Sequence, residues 1–150
     1  MKGNLVPLNG DPTSAKGGVT ARVYVNLLEE YIPTLMGPEH IFMQDNAPIH
    51  TARITRDFFE RLGFRMLQWP PYSPDLNPIE NLWFLLKERL MERYPHLAEL
   101  PTNEQTLEEL IQRAEEVWND MEEELVNNLI DSIPRRTAAV IKARGWYTKY

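Results

Sequence analysis

The sequence predicts an α/β domain with parallel strand pairing, followed by a helical second half. Over residues 4–69 short apolar strands alternate with helix-period stripes, in the order strand, helix, strand, helix, strand. Parallel strands need crossover helices between them, and this alternation supplies them. Beyond residue 77, apolar positions recur at three- and four-residue spacing, the period of a helix.

The elements follow in order. "NLVPL" (Asn4–Leu8) reads as a short strand, demoted to an edge by Pro7. "NGDPTSAKGG" is a turn-rich loop. From Thr20 a helix is expected on the stripe Val23, Leu27, Leu28, Tyr31, Ile32 and Leu35, stopped by Gly37-Pro38. "HIFMQ" (His40–Gln44) is a second strand. Asn46-Ala47-Pro48 then turns into a helix with the face Ile54, Phe58, Phe59 and Leu62, ended by Gly63. "FRMLQW" (Phe64–Trp69) is the third strand. After "PPYSPDLNP", one helical stripe runs through Ile79, Leu82, Trp83, Leu86 and Leu90. A cleaner one covers Leu107, Leu110, Ile111, Ala114, Val117, Trp118 and Met121. Leu125, Leu129, Ile130 and Ile133 continue it, and Ala138–Ala143 form a last short helix.

Length and composition narrow the class. At 150 residues, 43% apolar and 25% charged, the chain is one globular domain by size. No apolar run approaches the ~20 residues that span a bilayer, so no membrane partner is expected. The N-terminus lacks the apolar core of a secretion signal. Without cysteine there are no disulfides or thiolate metal sites. His40, His50 and His96 fall in no zinc-ligand spacing.

The net charge of −6 is unevenly distributed. Residues 99–131 hold eleven acids and one base, whereas residues 134–150 hold five bases and no acid. An acidic chain repels a polyanion at long range, which argues against strong DNA binding by these residues alone. The basic tail, with Arg135, Arg136, Lys142, Arg144 and Lys149, reads as a solvated end or as a phosphate contact.

Two carboxylates carry the chemical question. Asp45 lies at the carboxyl end of an expected strand, where open α/β sheets gather ligand-binding groups. It also fits a local role, capping the next helix or setting the turn before Pro48. Glu80 fits a capping box with Asn77 as N-cap and Pro78 in the first helical position. The chemistry that would use both acids is two-metal phosphoryl transfer, in which separate chain segments supply anionic oxygens.

Residues between those acids decide the comparison. "QDNAPIH" and "WPPYSPDLNPIENLW", with thirty-four residues between Asp45 and Glu80, resemble the catalytic core of mariner-superfamily DDE transposases. "GDPTSAKGGVTARVYVNLLEEYIPTL" and "IPRRTAAVIKARGWYTKY" extend the similarity over nearly the whole chain. The resemblance implies a ribonuclease-H-like fold whose Asp, Asp and Glu hold two Mg2+ (or Mn2+) ions. Such enzymes cut DNA and join the freed 3′ end elsewhere. By motif position Asp45 is the second Asp and Glu80 the third acid. Asn46 and His50 support the ligands from behind, with His50 as general base the less favoured role. Trp69, Pro70, Pro71 and Tyr72 border the site. The implied partner is DNA, both transposon ends and target, with a homodimer and a nuclear location in keeping.

The resemblance also leaves a gap. The family's first catalytic Asp lies on a central strand upstream of "NLVPL", and Asp11, Glu29, Glu30 and Glu39 do not match it. N-terminal helix-turn-helix segments are likewise unmatched. The expectation is therefore an incomplete sheet and a chain inactive alone. That chain is a fragment, a decayed frame, part of a larger protein, or one completed by a partner. A host-retained module that binds protein or DNA without chemistry is the alternative, and an unrelated capped α/β domain is a third reading.

Overall fold

A computed structural model of the chain describes residues 2–37, 39–71, 73–146 and 148. The chain divides into two compact units, Pro7–Tyr72 and Ser73–Tyr150 with Met1–Val6.

The first unit is a small β-α-β arrangement. Helix α1 spans Ala21–Leu35 and is capped by Thr20, whose hydroxyl accepts the Val23 N–H. Strand β1 (Ile41–Phe42) pairs parallel with β2 (Arg65–Met66), Ile41 opposite Arg65 and Phe42 opposite Met66. Between them lie α2 (Pro48–Thr51) and α3 (Arg53–Leu62). Gly63 ends α3 in the left-handed region (φ 69°), where a glycine carries no Cβ penalty. Tyr24, Val25, Leu28 and Ile32 of α1 close on Phe58 and Phe59 of α3, and Phe42 and Met66 pack beneath them. Asp11 ties the loop before α1 to its first turn: it accepts from the Thr13 N–H and hydroxyl, the Thr20 hydroxyl and Arg22. Gly10 in this loop lies so close to the Gly17 carbonyl that a Cβ would collide with it at 2.0 Å.

The second unit is helical: α4 (Pro78–Arg93), α5 (Glu104–Asn119), α6 (Glu123–Asp131) and α7 (Ile133–Lys142). Leu82, Leu86 and Leu90 of α4 pack on Val117 and Trp118 of α5, with Met121 and Val126 completing the core. A reciprocal capping box between Asn103 and Thr106 starts α5. At its other end Lys2 Nζ donates to the carbonyls of Trp118 (2.5 Å) and Met121 (2.6 Å), and the Trp118 indole N–H reaches the Gly3 carbonyl at 2.8 Å. A cation at a helix C-terminus satisfies carbonyls that have no helical partner.

Several expectations are corrected. Asn4–Leu8 is not a strand: Lys2 and Gly3 just before it bond the end of α5, Leu5 packs on the helical core, and Pro7 has no N–H for a ladder. The sheet among the described residues has two strands of two residues each, shorter than the 40–44 and 64–69 ranges expected. Parallel pairing itself is present. The expected single helix after Pro48 is broken at Ala52 (φ −59°, ψ 149°), because the fully buried Thr55 hydroxyl takes the Ile49 carbonyl at 2.6 Å. Only Phe58 and Phe59 of the expected α3 face are buried; Ile54 and Leu62 lie at its solvent edges. Leu35 and Leu107 are likewise exposed, while Tyr24 enters the core. The last helix begins at Ile133 rather than Ala138, with Pro134 in its first turn. Of the expected stop Gly37-Pro38, the proline lies outside the described residues; α1 ends on Met36, whose N–H reaches the Ile32 carbonyl.

Candidate active site

Asp45 stands three residues beyond β1, at the carboxyl edge of the parallel pair. Its Oδ1 accepts the Ala47 N–H at 2.9 Å and meets His50 Nδ1 at 2.6 Å. Asp45 therefore sets the turn before Pro48, as the local reading expects, but it does not cap α2. The N-cap is Ala47, with no side-chain hydrogen bond. Oδ2 carries no bond among the described residues, and 54% of the side chain is exposed. The Ala47 N–H first, and then His50, holds the carboxyl below the usual carboxylate range against partial burial. At neutral pH the group is an anion with one oxygen fixed and one open.

His50 is itself held. Its ring lies 4.7 Å from that of Tyr24, and its carbonyl accepts from Gln44 Nε2 at 3.3 Å. The Tyr24 hydroxyl donates to Gln44 Oε1 at 2.7 Å, joining α1 to the turn. Burial, reinforced by the negative charge of Asp45, pushes the Tyr24 hydroxyl up, so it stays a donor. Asn46 turns the other way and donates to the Trp69 carbonyl at 2.9 Å, bracing the segment after β2. A cleft of about 190 Å3 opens there, lined by Gln44, Asp45, Asn46, His50, Arg56 and Trp69 among others. Of the expected border residues, Tyr72 lies outside the described set.

Glu80 belongs to the second unit, in the first turn of α4. Asn77 caps this helix, its side chain accepting the Ile79 N–H at 3.3 Å. The reciprocal half of the expected capping box is not made by Glu80. The Asn77 N–H goes instead to the Pro74 carbonyl at 3.0 Å, closing the turn Pro74–Leu76. Glu80 is exposed, and no described residue of its unit takes its carboxylate.

The sequence singles out Asp45, Asn46, His50 and Glu80. It misses Tyr24 and Gln44, which hold His50, although Gln44 opens the quoted motif "QDNAPIH". It also misreads Arg136, which is 3% exposed rather than part of a solvated tail. Among the described residues, no three His, Asp or Glu side chains gather closely enough to hold a metal ion. The donor chemistry nevertheless suits a hard divalent cation: Asp45 and Glu80 both present carboxylate oxygens free of local bonds.

An acid at the carboxyl edge of a parallel β-α-β unit defines a class, the α/β domains with acidic sites at strand ends. Comparison narrows it. The family model described as DDE superfamily endonuclease matches residues 12–100. The chain is 40% identical over 115 residues to the transposable element Tc1 transposase of Caenorhabditis elegans, covering 77% of this chain and 39% of that protein. It is 34% identical over 132 residues to the Tcb2 transposase of Caenorhabditis briggsae, covering 85% and 45%. Among solved structures, the catalytic domain of Mos1 mariner transposase superposes with a TM-score of 0.64 at 26% identity, over 87% of this chain and 64% of that one. The same domain with Raltegravir and Mn, or Raltegravir and Mg, gives 0.65. The chain belongs to the DDE endonuclease superfamily, in the mariner group of transposases, with the ribonuclease-H-like fold of that group and a small sheet. It spans between about two fifths and one half of the curated transposases named here.

Proposed function

We propose that these residues form part of the catalytic domain of a DNA transposase, in which Asp45 and Glu80 serve as ligands of divalent cations, Mg2+ or Mn2+. The observation that carries this reading is the state of Asp45: Ala47 and His50 fix one oxygen, and the other faces outward from a strand end. An acid serving only its own turn needs no histidine brace that is anchored through Gln44 and Tyr24. Glu80 supports the reading, because its capping role is taken by the Pro74 carbonyl.

Bound cations would activate the attacking water and stabilise the leaving 3′ oxygen of a DNA phosphodiester. The protein's own residues do the rest. The Ala47 N–H and His50 keep Asp45 ionised and stop its rotation. Asn46 holds the Trp69 segment, so that the cleft keeps its width beside Asp45. The substrate proposed is DNA, transposon ends and target, with a homodimer and a nuclear location carried over from the mariner group. Residues 1–150 act in this reading as one catalytic domain built from two units.

The chain supplies two of the three carboxylates that such a site uses, so the purified 150 residues are expected to bind Mn2+ without cutting DNA. The second reading is a module that binds without chemistry. The test is nicking of supercoiled plasmid in Mg2+ or Mn2+, together with Mn2+ binding by electron paramagnetic resonance. Nicking abolished by Asp45→Asn and Glu80→Gln would refute inactivity and establish the site. Mn2+ binding that neither substitution changes would refute the site itself.

A further inference from the structure

Arg136, on α7, is buried to 3% exposure and donates to three separate segments. Nε donates to Ser132 Oγ at 2.6 Å, Nη1 to the Asp75 carbonyl at 2.9 Å, and Nη2 to Asn81 Oδ1 at 2.8 Å. Asp75 belongs to the turn before α4, and Asn81 is the residue after Glu80. The Thr148 hydroxyl, 2.9 Å from Asp75 Oδ2, ties the same turn to the chain beyond α7.

A guanidinium is planar, and its donors leave in fixed directions. One that grips both the Asp75 carbonyl and the Asn81 side chain sets the turn Pro74–Leu76 against the first turn of α4. Glu80 lies between these two anchors. Its carboxylate has no partner in its own unit among the described residues, so only the backbone that carries it fixes its direction. A buried cation is a costly way to fill space, and an apolar side chain would pack as well. Its use here points to geometry rather than cohesion.

We propose that Arg136 is a positioning residue for Glu80: by locking the Pro74–Leu76 turn to Asn81, it fixes the direction in which the Glu80 carboxylate leaves α4. The metal part of this proposal rests on Glu80 being a ligand, as argued above; the mechanical part does not.

The experiment uses the full 150-residue chain, with Arg136→Gln, with Asn81→Ala, which removes one anchor and keeps the cation, and with Asn103→Ala, which weakens the α5 cap instead. Two readouts are taken by NMR: amide hydrogen exchange, and line broadening by Mn2+. In Arg136→Gln and Asn81→Ala, exchange at Asn77, Glu80 and Asn81 should rise roughly tenfold, as expected for losing a hydrogen bond to a charged group. The core amides of α5 should stay protected, and Mn2+ broadening at Glu80 should fall while that at Asp45 persists. Asn103→Ala should leave Glu80 unchanged in both readouts. Unchanged exchange around Glu80 in a folded Asn81→Ala chain overturns the proposal, as does a rise spread evenly over the second unit. If wild type shows no broadening at Glu80, the ligand reading falls, and the exchange arm alone decides whether Arg136 locks the turn. Should Arg136→Gln not fold, Asn81→Ala carries both readouts.

Discussion

His50 Nδ1 lies 2.6 Å from Asp45 Oδ1, and the same oxygen accepts the Ala47 N–H at 2.9 Å. With its proton on Nδ1, the imidazole donates to the carboxylate and fixes its plane. Groups standing behind a metal ligand typically govern metal affinity by ~10–100-fold. His50→Ala should therefore weaken Mn2+ binding by about tenfold. His50→Gln, which keeps a donor, should weaken it less. Isothermal titration of each variant with Mn2+ checks the order.

The same contacts fix the sign of the Asp45 titration. Its carboxyl is held low by the Ala47 N–H and then by His50. A carboxyl whose folded pKa is depressed adds stability above its unfolded pKa, and this is lost as the pH falls through the folded value. The Asp45 side-chain resonance should thus titrate below that of an aspartate in an unfolded peptide, and His50→Ala should move its midpoint upward. More than half of the side chain is exposed, so Asp45→Asn should barely change the melting temperature at pH 7.

Asp11 should behave otherwise. Thr13, then Thr20, with Arg22 also donating, hold its carboxyl far below the usual range while it is buried to 3% exposure. Asp11→Asn should lower the melting temperature at pH 7. The gap from wild type should narrow as the pH drops below about 4, where the wild-type group begins to lose its advantage. Thermal melts at pH 7 and pH 3 give the comparison.

Thr55 tests the break between α2 and α3. It is fully buried, and its hydroxyl takes the Ile49 carbonyl at 2.6 Å. Thr55→Val keeps the shape and leaves that carbonyl without its donor, at a cost of about 1–2 kcal/mol. Urea unfolding should show the loss in the midpoint with the slope unchanged.

How much of this is legible in the sequence depends on whether the decisive contact is local. The parallel pair and the strand-end place of Asp45 follow from "HIFM" running into "DNAP" and from the helix between two apolar runs. The Asn77 cap is legible for the same reason. The break at Ala52 is not, because Ala-Arg is good helix sequence and the interruption comes from a bond six residues long, Thr55 to Ile49. Tyr24 is missed because its link to Gln44 spans twenty residues. Glu80 matches a capping box perfectly in pattern, yet the preceding turn reaches the Asn77 N–H first. Arg136 looks like a solvated base by composition, and only the packing of α7 on the Pro74–Leu76 turn shows otherwise.

The most direct measurement is affinity cleavage by Fe2+ in place of Mg2+, with ascorbate and peroxide, so that radicals cut the backbone beside the bound ion. Two cuts are expected in the wild-type chain, one close to position 45 and one close to position 80. Both should be suppressed by excess Mg2+, the first lost in Asp45→Asn and the second in Glu80→Gln. Cutting at neither position, or cuts that the two substitutions leave in place, would mean that these acids hold no ion.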